Sequence, residues 1–405
     1  MKEIVYKEID GTSLKYWGLL AGLGAVILGA LGSFYYMEHN GHVVTGMTNQ
    51  IVWGMPHVFA IFLIVAASGA LNIASIGSVF GKKLYKPLGR MSAILAIALL
   101  AGGLTVLLLD LGRPDRLIVA ITTFNFKSIF AWNIILYTGF MGIVGVYLWM
   151  MMERKMNKYS TYAGYAAFVW RLILTTGTGS IFGFLVARQA YDAAIMAPMF
   201  VVMSFSFGLA IYMLVLFATF QWTDRPLGDV IVNRLKNLLG VFIAAVLYFT
   251  VVYHLTNLYA TEHHPVESFI LSGDTKFTTI FWWGQVIIGS LLPLALLYYP
   301  ATAASRKWIA IACGLTIYGG FSQLYVILIG GQALPLAIFP EHNILESGFN
   351  DGVNGTTHAY TASNPEIILG LGGVAVSLIM VTFAFKILKF VPESLADEVA
   401  DPHHK

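Results

Sequence analysis

The sequence predicts an all-α, polytopic membrane protein with about ten transmembrane helices. Three observations carry this. Of the 405 residues, 58% are hydrophobic and 11% charged, where a soluble domain carries about 25% charged. Uncharged windows of about 20 residues recur, each long enough to cross a hydrocarbon core of about 30 Å. Lys and Arg gather in alternate loops. Lipid offers backbone N–H and C=O groups no partner, so each span must be helical.

The spans fall at roughly 14–36, 51–79, 89–110, 128–151, 160–187, 194–220, 235–260, 278–299, 308–330 and 365–390. Met1–Lys15 is polar and of mixed charge, and the run after it is long enough to span. It reads as a short tail leading into an anchor, with no cleavable leader. Lys82, Lys83, Lys86 and Arg90 follow the second span; Arg154, Lys155 and Lys158 follow the fourth. Arg225, Arg234 and Lys236 follow the sixth, Arg306 and Lys307 the eighth, and Lys386, Lys389 and Lys405 lie at the end. The intervening loops are poor in basic residues, apart from Arg113, Arg116, Lys127, Arg188 and Lys276. The positive-inside rule therefore puts both termini in the cytoplasm of a bacterial inner membrane, and an even number of spans agrees, since it leaves both termini on one side.

The outer loops Met37–Gln50, Thr261–Lys276 and Gly331–Pro365 are long and polar. They either cap helix ends or receive a partner. The net charge of +3 is spread by topology and forms no nucleic-acid patch. Cys313 is the one cysteine, so it makes no internal disulfide and holds no iron–sulfur cluster. A packing role is expected. The chain divides into 1–50 (tail, first helix, outer loop), 51–190 (first four-helix bundle), 191–330 (second four-helix bundle) and 331–405 (long outer loop, last helix, tail).

Polar side chains inside the spans carry the functional signal. His57, Asp110, Asn133, His254 and Gln285 come from five helices, all near the outer face. Pro56 is expected to loosen the helix beside His57 and free backbone carbonyls. An ion pair with Arg113, one turn on, is the plain alternative for Asp110. Asn133 and Gln285 also fit as interhelical hydrogen-bond partners, and Trp53, Trp282 and Trp283 as interfacial aromatics. Arg171 lies about twelve residues into the fifth span. It must snorkel, pair or line a wet cavity, and with Thr175 and Thr176 it marks either a proton path or packing. A His and a carboxylate at one depth, with apolar walls, suit quinone chemistry: a flat ring with two oxygens needs hydrogen-bond partners and a group that exchanges protons.

Leu109-Asp-Leu-Gly-Arg-Pro-Asp-Arg-Leu117, followed by Phe124-Asn-Phe-Lys-Ser128 and preceded by Trp53-Gly-Met-Pro-His57, resembles the NrfD/PsrC family of polysulfide reductase membrane subunits. Among its branches the chain is most similar to the DsrP type, the quinol-interacting subunits of sulfur-metabolising bacteria. The resemblance implies two four-helix bundles flanked by the first and last helices. It implies a quinol site near the outer face, with menaquinone or ubiquinone as the ligand and no haem or iron–sulfur cluster in the chain. It also implies a periplasmic, ferredoxin-like iron–sulfur partner, alongside other membrane and cytochrome subunits. The motif's Asp and Arg map onto Asp110 and Arg113, and the polar neighbour of the Trp-Gly segment onto His57. Read from the residues themselves, His57 and Asp110 exchange protons, Trp53 and Asn133 complete the pocket, and Arg171 and Thr175 mark the proton path. The chain departs from the family pattern at Lys127-Ser-Ile-Phe130, where many relatives carry Ser-Pro-Met-Ser. Two other readings compete. One is a b-type cytochrome with haem on His57 and His254, the two clear intramembrane candidates. The other is a transporter or structural anchor, against which no pair of broken helices is expected across the midplane.

Overall fold

The computed structural model describes residues 4–334 and 360–400. Among these residues, ten long helices dominate: α1 (Leu14–Asn40), α2 (Met55–Ser78), α3 (Gly89–Leu109), α4 (Ile129–Met152), α5 (Ser160–Gly183), α6 (Met196–Trp222), α7 (Asp229–Tyr259), α8 (Lys276–Tyr298), α9 (Arg306–Ala333) and α10 (Asn364–Ile387). All but α5 are both long and apolar enough to cross a membrane by composition; α5 is diluted by Gly, Thr, Ser and Arg171. The protein is a mostly helical, multi-pass membrane protein.

Local chemistry sets the helix ends. Ser13 Oγ accepts the Tyr16 N–H and starts α1. Ser363 and Glu366 form a reciprocal capping box at the start of α10. Pro56 occupies the first turn of α2, where a missing N–H costs nothing. It therefore opens the helix and does not bend it, which corrects the expectation that Pro56 loosens the helix beside His57. The start of α2 falls accordingly at Met55, four residues inside the predicted span. Two helices are locally rewound: Ile280–Leu291 of α8 and Val326–Gly330 of α9 are π-wound, a feature the sequence did not announce.

Packing follows a simple scheme. Helix α2 lies against α3, α3 against α4, α4 against α5, and α5 closes onto α2. In the same way α6, α7, α8 and α9 each pack on the next, and α9 closes onto α6. The two rings meet where α2 and α5 lie on α6 and where α9 touches α2. Helix α10 covers α2 and α3 from outside and carries α1 on its far side. Gly69 and Gly208 mark the crossing of α2 and α6. A Cβ on Gly69 would strike the Ser204 carbonyl, and one on Gly208 the backbone of Gly69 and Ala70. Small residues permit this approach, and close packing substitutes for the hydrophobic drive that lipid lacks.

The starts of α2, α4, α6, α8 and α10 share one end of the molecule, the upper end. At the lower end, strands β1 (Tyr6–Lys7) and β2 (Val391–Pro392) pair antiparallel and bring the two tails together. Arg225 donates to the carbonyls of Lys7, Glu8, Val391 and Pro392. This small sheet is an addition to the all-α expectation. Cys313 is fully buried, as a packing residue should be.

Candidate functional site

His57 lies in the first turn of α2 and Asp110 caps the end of α3, so two neighbouring helices bring them together at the upper end. His57 Nδ1 stands 2.9 Å from Asp110 Oδ2. The distance is that of an ion pair, but the angle is not that of a hydrogen bond. Neither Asp110 oxygen has a hydrogen-bond partner among the described residues. The aspartate side chain is 1% exposed and the histidine 21%. A buried carboxylate with vacant acceptor positions is costly as structure alone. Val52, Leu111 and Phe130, close by in chain or packing, are exposed apolar groups. Of the two, the partly exposed His57 is the member a ligand would meet.

Trp53 prepares the turn that presents His57. Its ring packs on Phe130, Phe182 and Tyr191. Gln332, at the end of α9, accepts the Val52 and Trp53 N–H groups at 2.9 and 3.1 Å and donates to the Trp53 carbonyl at 3.1 Å. The Met55 N–H donates to Tyr360 Oη at 2.7 Å, and that phenol donates to the buried Glu366 at 2.6 Å. Burial, then the adjoining carboxylate, pushes the Tyr360 phenol far above its ordinary range, so it stays a donor. Glu366 also accepts the N–H groups of Gly46 and Ser363. Glu366→Ala leaves these donors unmatched, at about 2–4 kcal/mol. A thermal melt of the purified protein should show a Tm several degrees lower; an unchanged Tm would contradict this account of the turn.

Other expected site residues lie apart from the pair. The Arg113 side chain is 63% exposed and forks onto Asp115 through two 3.1 Å hydrogen bonds. These bonds hold the Asp115 carboxyl below its usual range and push the guanidinium up. Arg113 spends its charge on Asp115, and Asp110 turns to His57. Asn133 donates to the carbonyls of Ile129 and Gly177 and accepts from Thr178, so its amide links α4 to α5. Gln285 and Gln323 both donate to Thr250 Oγ1. Trp282 and Trp283 are exposed, as interfacial aromatics are. Arg171 does not snorkel: it is 1% exposed. It donates to the Ser68 carbonyl and, at 2.9 Å, to Asn72, between the rings of Phe168 and Phe205. Thr175 lies one turn above and donates to Ser68 Oγ at 2.6 Å; Thr176 faces outward. His57 and His254 stand on α2 and α7, with α6 and α9 packed between these helices, and the structure does not bring them together.

The profile described as "Polysulphide reductase, NrfD" matches residues 43–336, which is α2 to α9 and more than half of the chain. The chain belongs to the NrfD family. Its match covers both rings and leaves α1 and α10 outside. The chain is 28% identical over 400 residues to the "Hdr-like menaquinol oxidoreductase integral membrane subunit" of Archaeoglobus fulgidus, spanning 98% of this chain and 99% of that protein. It is 25% identical to a selenate reductase subunit of Mesobacillus selenatarsenatis, over 78% of this chain and 82% of that one. It is 24% identical to a putative dimethyl sulfoxide reductase membrane subunit of Halobacterium salinarum, over 92% and 91%.

For this member of the NrfD family, sequence reasoning missed two buried carboxylates. Glu366 looks like an ordinary first-turn acid, yet it is fully buried. Glu267 looks like part of a solvated loop, yet it is 0% exposed and 2.6 Å from His254 Nδ1. The apolar residues around it, Val266, Phe269 and Ile270, are the signal that could have found it. Of the long upper loop, residues 335–359, with Glu341, His342 and Asp351, lie outside the described residues.

Proposed function

We propose that this chain is the quinol-exchanging membrane subunit of a redox complex, working at His57 and Asp110. The observation that carries the reading is the buried, otherwise unpartnered Asp110 carboxylate set against a partly exposed histidine. The name of the Archaeoglobus relative favours menaquinol over ubiquinol. The relatives' names cover different terminal substrates, so sulfur chemistry, expected from the resemblance, belongs to the partner subunits.

In this reading, quinol oxidation releases two protons and two electrons. His57 takes a proton from a quinol hydroxyl, and the Asp110 carboxylate stabilises the imidazolium and relays that proton onward. Trp53 and Phe130 supply an apolar wall. Arg113, a pocket candidate from sequence, holds the loop beyond Asp110 through Asp115, and Asn133 keeps α4 against α5. The second proton leaves to water at the upper end, and the buried Arg171 and Thr175 of α5 would line a separate proton path from the inner side. The electrons pass to an iron–sulfur partner docked at the upper end. The lower end collects the basic loops, so the upper end is periplasmic and both termini are cytoplasmic in an inner membrane. The ring within 51–190 carries the quinol site.

A fluorescent quinol-site inhibitor titrated onto the isolated chain tests the reading. Saturable quenching is expected, weakened in Asp110→Asn and in His57→Ala. Quenching that is identical in wild type and both variants would move the site elsewhere.

A further inference from the structure

The second ring carries its own buried histidine–carboxylate pair. His254 Nδ1 lies 2.6 Å from Glu267 Oε2, and the Asn257 amide donates to Oε1 at 2.8 Å. Glu267 has no exposed surface, and His254 is 9% exposed. The placement parallels the first pair: Asp110 closes the upper end of the second helix in its ring, and His254 sits near the upper end of the second helix in the other.

Beside His254 lies a cavity of about 20 Å³, room for one water molecule. Thr250, Gln285 and Gln323 line it with polar groups, and a water needs two to four such partners. Three π-wound stretches contribute to the wall: Ser268–Ser272 through Ile270, Ile280–Leu291 through Phe281 and Gln285, and Val326–Gly330 through Val326. Such winding is rare and frequently marks functional sites. Here it widens α8 beside the pair, and Ser290 Oγ donates to the Gln285 carbonyl at 2.9 Å. A buried ion pair is a poor stabiliser, so stability alone does not account for the arrangement.

We propose that His254 and Glu267 form a second proton-exchanging site, served by a water molecule held by Thr250, Gln285 and Gln323. The pair gains one proton when a carboxylate beside a neutral imidazole becomes a carboxylic acid hydrogen-bonded to that imidazole, the uncharged form that burial favours. That proton arrives from, and returns to, the cavity water. Among the described residues that line the cavity, the other titratable group is Tyr253, whose ring stands edge-on to His254 and whose hydroxyl donates to the Ala190 carbonyl. The other packed helices present neutral groups: Met199 from α6, Phe281 from α8 and Gln323 from α9. This site does not depend on what binds at His57.

The test is pH-difference infrared spectroscopy of the full chain in lipid nanodiscs. A carboxylic acid band should appear as the pH is lowered, shift in heavy water, vanish in Glu267→Gln and move in His254→Gln. It should survive in Asp110→Asn, which separates it from the first pair. Gln323→Leu, which crowds the cavity with an apolar group, should leave the band but slow its hydrogen–deuterium exchange several-fold. Absence of a titrating band, its persistence in Glu267→Gln, or wild-type exchange in Gln323→Leu would overturn the proposal.

Discussion

Asp110→Asn is expected to lower quinol-dependent turnover of the assembled complex by about a hundredfold, the low end of what proton transfer by a positioned group contributes. Asparagine keeps the shape of the side chain and removes its charge. With Asp110 Oδ2 only 2.9 Å from His57 Nδ1, the loss falls on the imidazolium that must form when a proton is taken. Asp110→Glu should recover part of the rate, because it restores the charge with an altered reach. Arg113→Ala should stay near wild type, since that guanidinium is exposed and bound to Asp115. The measurement is steady-state oxidation of a soluble quinol analogue, with the amount of assembled complex checked in each variant. Wild-type turnover in Asp110→Asn, or equal losses in Asp110→Asn and Arg113→Ala, would sink the assignment of His57 and Asp110.

Gly208→Val is expected to abolish properly folded protein. The new side chain would enter the backbone of Gly69 and Ala70, and no rotamer relieves a clash that begins at Cβ. Overpacking a core costs about 1–3 kcal/mol when side chains can yield, and more when backbone must move. Here the backbone belongs to two helices that join the rings. Gly22→Val is the control, because a Cβ on Gly22 meets nothing within 4 Å. Fluorescence-detected size exclusion should show a monodisperse peak for Gly22→Val and aggregate or no peak for Gly208→Val. Equal peaks would mean that the α2–α6 crossing is looser than it looks.

The helices were legible because lipid forbids other backbone solutions, so apolar length alone locates them. Their partners were not legible, because apolar faces in lipid carry no marker of which neighbour they meet. Asp110 shows the difference. Its depth could be read from the chain, but its choice of His57 over the sequence neighbour Arg113 is decided by where α2 packs on α3. Pro56 was misread for a related reason: a proline near a helix start is benign or disruptive depending on a boundary four residues away. Glu267 was hidden because a polar run between spans looks solvated until the ends of α7 and α8 fold over it. The π-wound turns leave no trace in periodicity, since one extra residue per turn over so short a stretch is invisible in an apolar background.

The pairing of α1 with α10 has a consequence for biogenesis. The ribosome delivers α1 long before α10, yet α10 is the principal partner of α1 and also seals α2 and α3. Between those two moments α1 waits in the bilayer with its packing face unmatched. A chain stopped short of α10 would therefore leave α1 without its principal packing partner.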